Sequence, residues 1–143
     1  LGSTGLRVGL WDGRPTLQFM RIVGLGVDLA DIDRVASLLD RYPRFAERCF
    51  TEHEQRYANR FAKPARRYAA RFAGKEAVRK SLGMGFRQIR WIDVEITGGG
   101  KPTVNLIGTA KRQAEKLGVS EVLVTITHTD TSALVMAVSV GEH

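Results

Sequence analysis

Apolar positions along the chain follow two periods, and these periods divide it into elements. Ile22-Val23-Gly24-Leu25-Gly26-Val27 is apolar enough to predict a first strand, over residues 21–28, that is largely covered. Its glycines weaken it but let another backbone approach closely. Asp28 stands at the strand's end. Ile32, Val35, Leu38, Leu39 and Tyr42 then recur at helical spacing, which predicts a helix from Asp31 to Tyr42, broken by Pro43. Thr51-Glu52-His53-Glu54 reads as a capping box and predicts a short helix reaching Arg60.

The strongest helical signal runs from Pro64 to Leu82. Proline suits a first turn, Tyr68, Ala69, Phe72, Ala73, Ala77 and Leu82 fall on one face, and Gly83 and Gly85 end the helix. Downstream, Trp91, Val94 and Ile96 alternate with polar residues in a strand predicted over 89–97. Gly98-Gly99-Gly100-Lys101-Pro102 turns the chain, and residues 103–107 return as the partner strand. A helix from Thr109 to Leu117, stopped by Gly118, precedes strands over 121–128 and 133–140. The fold class predicted is α+β: a small, mostly antiparallel sheet packed against the long helix near 64–82.

Two rows on that helix carry the chemistry. Tyr68, Phe72, Glu76 and Lys80 stand four apart, so a carboxylate shares the apolar stripe. Arg71, Lys75 and Arg79 form a second row of one sign, where like charges cost roughly 0.2–0.5 kcal/mol per pair. A bound anion would relieve that row. The plain alternative is a solvated basic face with Glu76 paired to Lys80. Magnesium takes one or two protein carboxylates and completes its shell with water and phosphate oxygens, which makes Asp28 and Glu76 the candidate metal ligands. The sequence offers no cysteine and histidine cluster for zinc. The Gly83-Met84-Gly85 loop offers backbone N–H groups suited to phosphate oxygens.

Composition narrows the partners. The net charge of +7 calls for an anionic one, and residues 1–19 carry only one unit of it, from Arg7 and Arg14 against Asp12. No apolar run approaches the roughly eighteen residues of a membrane helix, so a globular, cytoplasmic protein with no membrane partner is expected. Cys49 is the single cysteine, which allows no internal disulfide and fits a reducing compartment. Residues 1–19 lack a clean period and precede Met20; they are expected to be vector-derived or a short extension, with 20–143 a single domain. Arg34 and Arg41 on the first helix, with Arg44 and Arg48 around Phe45, serve either solubility or docking to an acidic protein. His128 at a strand end is either a bonded turn residue or a functional one. A basic nucleic-acid-binding α+β domain is the alternative reading. It asks for aromatic side chains among cations on a sheet face, where the strands offer only Trp91, and it leaves the two carboxylates without a role.

Val23-Gly24-Leu25-Gly26-Val27-Asp28 followed by Arg34, then Arg71-Phe72-Ala73-Gly74-Lys75-Glu76-Ala77 with Lys80 and Leu82-Gly83, then Gly100-Lys101-Pro102, then Thr125-Ile126-Thr127-His128, resemble the ordered motifs of holo-acyl-carrier-protein synthase, the small bacterial type of 4′-phosphopantetheinyl transferase. The resemblance spans Met20 to Val140. It implies transfer of 4′-phosphopantetheine from coenzyme A to a serine of an acidic apo acyl carrier protein, for fatty acid synthesis, with adenosine 3′,5′-bisphosphate released and no nucleic acid involved. It further implies that Asp28 and Glu76 ligate Mg2+ and that Lys80 contacts the transferred phosphate; the serine proton is expected to pass to Glu76, directly or through a metal-bound water. Arg71, Gly83, Met84, Gly85, Gly100, Lys101, Pro102 and His128 would hold coenzyme A. Arg34, Arg41, Arg44, Phe45 and Arg48 would grip the carrier, and the assembly would be a homotrimer with active sites at its interfaces. Gly74 stands where alanine is more usual, Ser81 where alanine is common, Thr125 where serine is, and Gly99 where a polar residue often is.

Overall fold

The computed structural model describes residues 19–83 and 88–142. In chain order the elements are β1 (Met20–Asp31), α1 (Ile32–Arg41), α2 (Phe45–Cys49), α3 (Glu52–Ala58), α4 (Pro64–Ser81), β2 (Val94–Thr97), β3 (Thr103–Leu106), α5 (Gly108–Leu117), β4 (Val119–His128) and β5 (Ser132–Glu142). The class is α+β, as expected. The five strands divide between two antiparallel sheets, one ordered β1-β5-β4 and one a β2-β3 hairpin. The expected long strand over 89–97 is half a strand. Trp91–Asp93 form a 3-10 turn before β2 begins at Val94. The carbonyls of Trp91 and Val94 both accept from Lys75 Nζ, and two carbonyls three residues apart converge on one ammonium only if the backbone curls.

Local signals in the sequence fix the helix ends. The Asp31 side chain accepts from the backbone N–H groups of Asp33 and Arg34 and so caps α1. The Thr51/Glu54 capping box is present at α3, and Gly118 ends α5 in the left-handed conformation.

The core lies where α4 crosses the β1-β5-β4 sheet, and small residues set the distance between them. A Cβ on Gly24 would lie 2.0 Å from the Ser81 carbonyl oxygen, and one on Gly26 would lie 1.9 Å from that of Ala77. The glycines of β1 therefore let the sheet touch the α4 backbone, and Ser139 Oγ donates to the Ser81 carbonyl at 2.7 Å. Gly74 has a similar reason: its Cβ would stand 2.2 Å from Ile96 Cδ1.

The expectation of one apolar face on α4 needs correction, because the helix is buried almost all round. Arg71, Lys75 and Arg79 are buried, whereas Lys80, placed on the apolar stripe by its spacing, is exposed. The like-charged row is not a solvated face. It enters the interior because each cation finds oxygen there: Lys75 a carboxylate and two carbonyls, Arg79 a carboxylate, Arg71 a carbonyl. No helix among the described residues is long and apolar enough to cross a membrane.

Candidate active site

Asp28 sits on the inward face of β1, opposite Val135 of β5. Because Gly26 lets α4 close on β1, the Lys80 ammonium reaches the Val27 carbonyl at 3.0 Å and Asp28 Oδ1 at 3.1 Å. Burial raises the Asp28 carboxyl above its ordinary range, the hydrogen bond and charge of Lys80 oppose that shift, and the negative charge of Glu76 adds to it. Glu76 accepts on Oε2 from Arg79 Nη1 and from Trp91 Nε1, each at 2.6 Å. The plain pairing of Glu76 with Lys80 is not what the fold makes. Asp28 and Glu76 line one cavity of about 320 Å³, together with Arg34 and Phe72. The expected strand end at Asp28 is not observed, since β1 continues to Asp31; β1 and α4 nonetheless bring the two candidate metal ligands together, with Lys80 bonded to one of them. Among the described residues no group of three or more histidine, cysteine, aspartate or glutamate side chains could hold a metal. Two carboxylates facing an open cavity suit a hard cation that keeps most of its shell for water and phosphate oxygens.

A second cavity, of about 250 Å³, lies on the other side of α4. Its walls include Arg66, Arg67 and Arg71 of α4, Gly98 to Gly100 and Pro102 of the hairpin turn, and His128 at the end of β4. Arg71 lays its guanidinium 4.4 Å from the Tyr57 ring centre and donates from Nη2 to the Gly98 carbonyl, while its buried Nε finds no partner. Burial pulls the Arg71 pKa down, so an anion in this cavity would restore what desolvation costs the guanidinium. The two cavities share no lining residue. Phe72 and Glu76 face one, and Arg66, Arg67, Ala70 and Arg71 the other, their mean directions nearly half a turn apart on the helix.

Arg71, Gly100, Pro102 and His128 therefore line one cavity. Lys101 is exposed beside them without lining the cavity. Gly83 is exposed with φ at 68°, and Met84 and Gly85 lie outside the described residues. Sequence reasoning missed Tyr57, Arg66 and Arg67. The four-residue spacing of Arg67 and Arg71 was the available signal. Arg34, Arg41, Arg44 and Arg48 are exposed on α1, α2 and their connection, and Phe45 packs at 5.7 Å from Phe72 and 5.9 Å from Phe50.

Residues 24–138 match the family model described as the 4′-phosphopantetheinyl transferase superfamily. The chain belongs to this superfamily. Within it, the curated holo-[acyl-carrier-protein] synthase of Solibacter usitatus is 49% identical over 120 residues, covering 81% of this chain and 94% of that protein. A solved acyl carrier protein synthase from Plasmodium yoelii with ADP bound is 27% identical with a TM-score of 0.80, covering 87% of this chain and 99% of that one. A holo-(acyl-carrier-protein) synthase from Bacillus anthracis in complex with CoA (3′,5′-ADP) is 27% identical with a TM-score of 0.70, covering 86% and 99%. The family resemblance carried by the short motifs is thus matched over the whole fold, and the chain groups with transferases named as holo-[acyl-carrier-protein] synthases.

Proposed function

We propose that this chain transfers 4′-phosphopantetheine from coenzyme A to a serine of an apo acyl carrier protein, in the cytoplasm and for fatty acid synthesis. The observation that carries the reading is the meeting of Asp28, Glu76 and Lys80 at one cavity, with Arg71 and His128 at a second cavity lined by cations. The serine oxygen attacks the phosphorus next to the pantetheine. A Ser–O–P bond forms, the pyrophosphate P–O bond breaks, and adenosine 3′,5′-bisphosphate leaves.

Asp28 and Glu76 would hold Mg2+, which when bound neutralises phosphate charge. Lys80 Nζ has three protons and donates to Val27 and Asp28, so one remains for the transferred phosphate. Glu76 Oε1 accepts from no described residue, and Glu76 would take the serine proton directly or through a metal-bound water. Arg71, the Gly83-Met84-Gly85 loop, Gly100-Lys101-Pro102 and His128 hold the coenzyme A phosphates and adenosine, since phosphoryl transfer asks the protein mainly for positioning and charge. The carrier is acidic, and the exposed Arg34, Arg41, Arg44 and Arg48 around Phe45 offer it a complementary face. Arg34 lines the Asp28 cavity too, which would bring the carrier's serine to the carboxylates.

We further propose a homotrimer with interfacial sites. Leu25, Val27, Leu29, Leu123, Leu134 and Met136 all lie on the outer face of the β1-β5-β4 sheet and are exposed, a contiguous apolar surface of the kind that marks an interface. With the carboxylates and the cation-lined cavity on opposite sides of α4, one copy would supply each half.

The test is the intact mass of an apo acyl carrier protein incubated with this chain, coenzyme A and Mg2+. Gain of one phosphopantetheine, lost with EDTA and with Glu76→Gln, supports the reading; an unchanged carrier overturns it. Full activity of Glu76→Gln at saturating Mg2+ would overturn the base assignment alone.

A further inference from the structure

We propose that Trp91 is a positioning residue: its indole N–H, acting with Arg79, locks the Glu76 carboxylate so that Oε1 is the oxygen left for chemistry. This rests on the reading of Glu76 as a metal-holding carboxylate given above. Trp91 Nε1 and Arg79 Nη1 both donate to Oε2 at 2.6 Å, and among the described residues none donates to Oε1. Two strong donors on one oxygen fix the rotation of a side chain that otherwise has three free torsions. Glu76 meets the cavity already oriented.

The indole is itself held on several sides. The Trp91 carbonyl accepts from Lys75 Nζ at 3.0 Å, and Lys75 is anchored by Glu54 Oε1 at 2.7 Å. The ring stacks on Phe72 with centres 5.8 Å apart, and the Arg79 guanidinium lies 5.1 Å from its centre. The 3-10 turn at Trp91–Asp93 brings the Trp91 and Val94 carbonyls onto Lys75 of α4, and the indole of the same turn reaches Glu76 on that helix. Glu54, Lys75, Trp91 and Glu76 thus form one connected path from the α3 cap to the cavity. Partners that orient a metal-holding carboxylate are worth 10- to 100-fold in metal affinity or activity in other proteins. Phenylalanine at 91 keeps an aromatic ring beside Phe72 and removes the N–H donor, together with the volume of the second ring.

The test uses wild type, Trp91→Phe and Glu76→Gln chains labelled with nitrogen-15, with Mn2+ and Mg2+ as probes. The Trp91 indole resonance, identified by its loss in Trp91→Phe, is expected to move on Glu76→Gln and to move again when Mg2+ is added to wild type. Mn2+ affinity, followed by electron paramagnetic resonance, is expected to fall about tenfold in Trp91→Phe. The transfer kcat should fall with it while the KM for coenzyme A holds. Equal Mn2+ affinity in wild type and Trp91→Phe overturns this inference alone. Wild type that takes up no Mn2+ overturns the metal reading of Asp28 and Glu76 and this inference with it. If Trp91→Phe does not fold, the wild-type resonance decides: indifference to Mg2+ overturns the role.

Discussion

Lys75 Nζ lies 2.7 Å from Glu54 Oε1, and neither side chain exposes any surface to solvent. The ammonium gives its remaining protons to the carbonyls of Trp91 and Val94, and the carboxylate also accepts from the backbone N–H groups of Thr51 and Ile96. Every polar atom of the pair is thereby used, which is the condition for a buried ion pair to be tolerated.

Removing one partner leaves a buried charge alone. Lys75→Met and Glu54→Gln are each expected to lose about 3–5 kcal/mol of stability, and the double variant to lose less than the two together. Urea unfolding of the four proteins measures the coupling. Additive losses would show that the pair does not act as a unit.

Gly26 and Gly74 separate two kinds of crowding. At Gly26 a methyl meets the α4 backbone, which cannot move aside, so Gly26→Ala is expected to cost at least about 2 kcal/mol and to separate Lys80 from Asp28. At Gly74 it meets the end of the Ile96 side chain, which can rotate, and alanine returns about 1 kcal/mol of helix propensity. Gly74→Ala is therefore expected to stay within about 1 kcal/mol of wild type by thermal melting.

Cys49 is buried, and desolvation pushes its thiol up to about 11 against the nearby positive charge of Lys75. The folded pKa lies above the ordinary value of 9.0, so this group's contribution to stability is full below pH 9 and fades as pH rises toward about 11. Native protein at pH 8 is expected to resist iodoacetamide, with labelling appearing only in denaturant. Prompt labelling of native protein would contradict the burial.

The proposed trimer would meet through the outer face of the β1-β5-β4 sheet, where Leu25, Val27, Leu29, Leu123, Leu134 and Met136 are exposed. Leu25→Lys or Met136→Glu places a charge on it, and each variant is expected to run as a monomer in light scattering and to lose transfer activity while retaining its fold. An unchanged oligomer would show that copies meet elsewhere.

Much of this was legible in the sequence because it rests on local rules. The β1 glycines, the α3 capping box and the Gly118 stop follow from local spacing, whereas Asp28 and Glu76 were singled out as carboxylates and are brought to one cavity by the packing of α4 on β1. What was not legible depends on partners distant in the chain. The row Arg71, Lys75 and Arg79 read as a surface because its acceptors, Glu54 and the carbonyls of Trp91, Val94 and Gly98, are placed by other elements. Glu54 read only as a cap for the same reason. Helix α2 has five residues, too few for a period to register. The split into two sheets, and the turn at Trp91 whose carbonyl accepts from Lys75, are arrangements that no alternation pattern encodes.

The most direct measurement is transfer by mixed assemblies. On the proposed reading, Asp28→Ala would lack the carboxylate half and His128→Ala would weaken the phosphate-holding half, so each alone should fail or nearly fail to modify an apo carrier. Refolded together in equal amounts, they are expected to recover about a quarter of wild-type activity, the statistical share of interfaces that join two intact halves in a closed trimer. No recovery, with both variants folded and mixed assemblies present by mass, would contradict a site shared between copies and return both halves to a single chain.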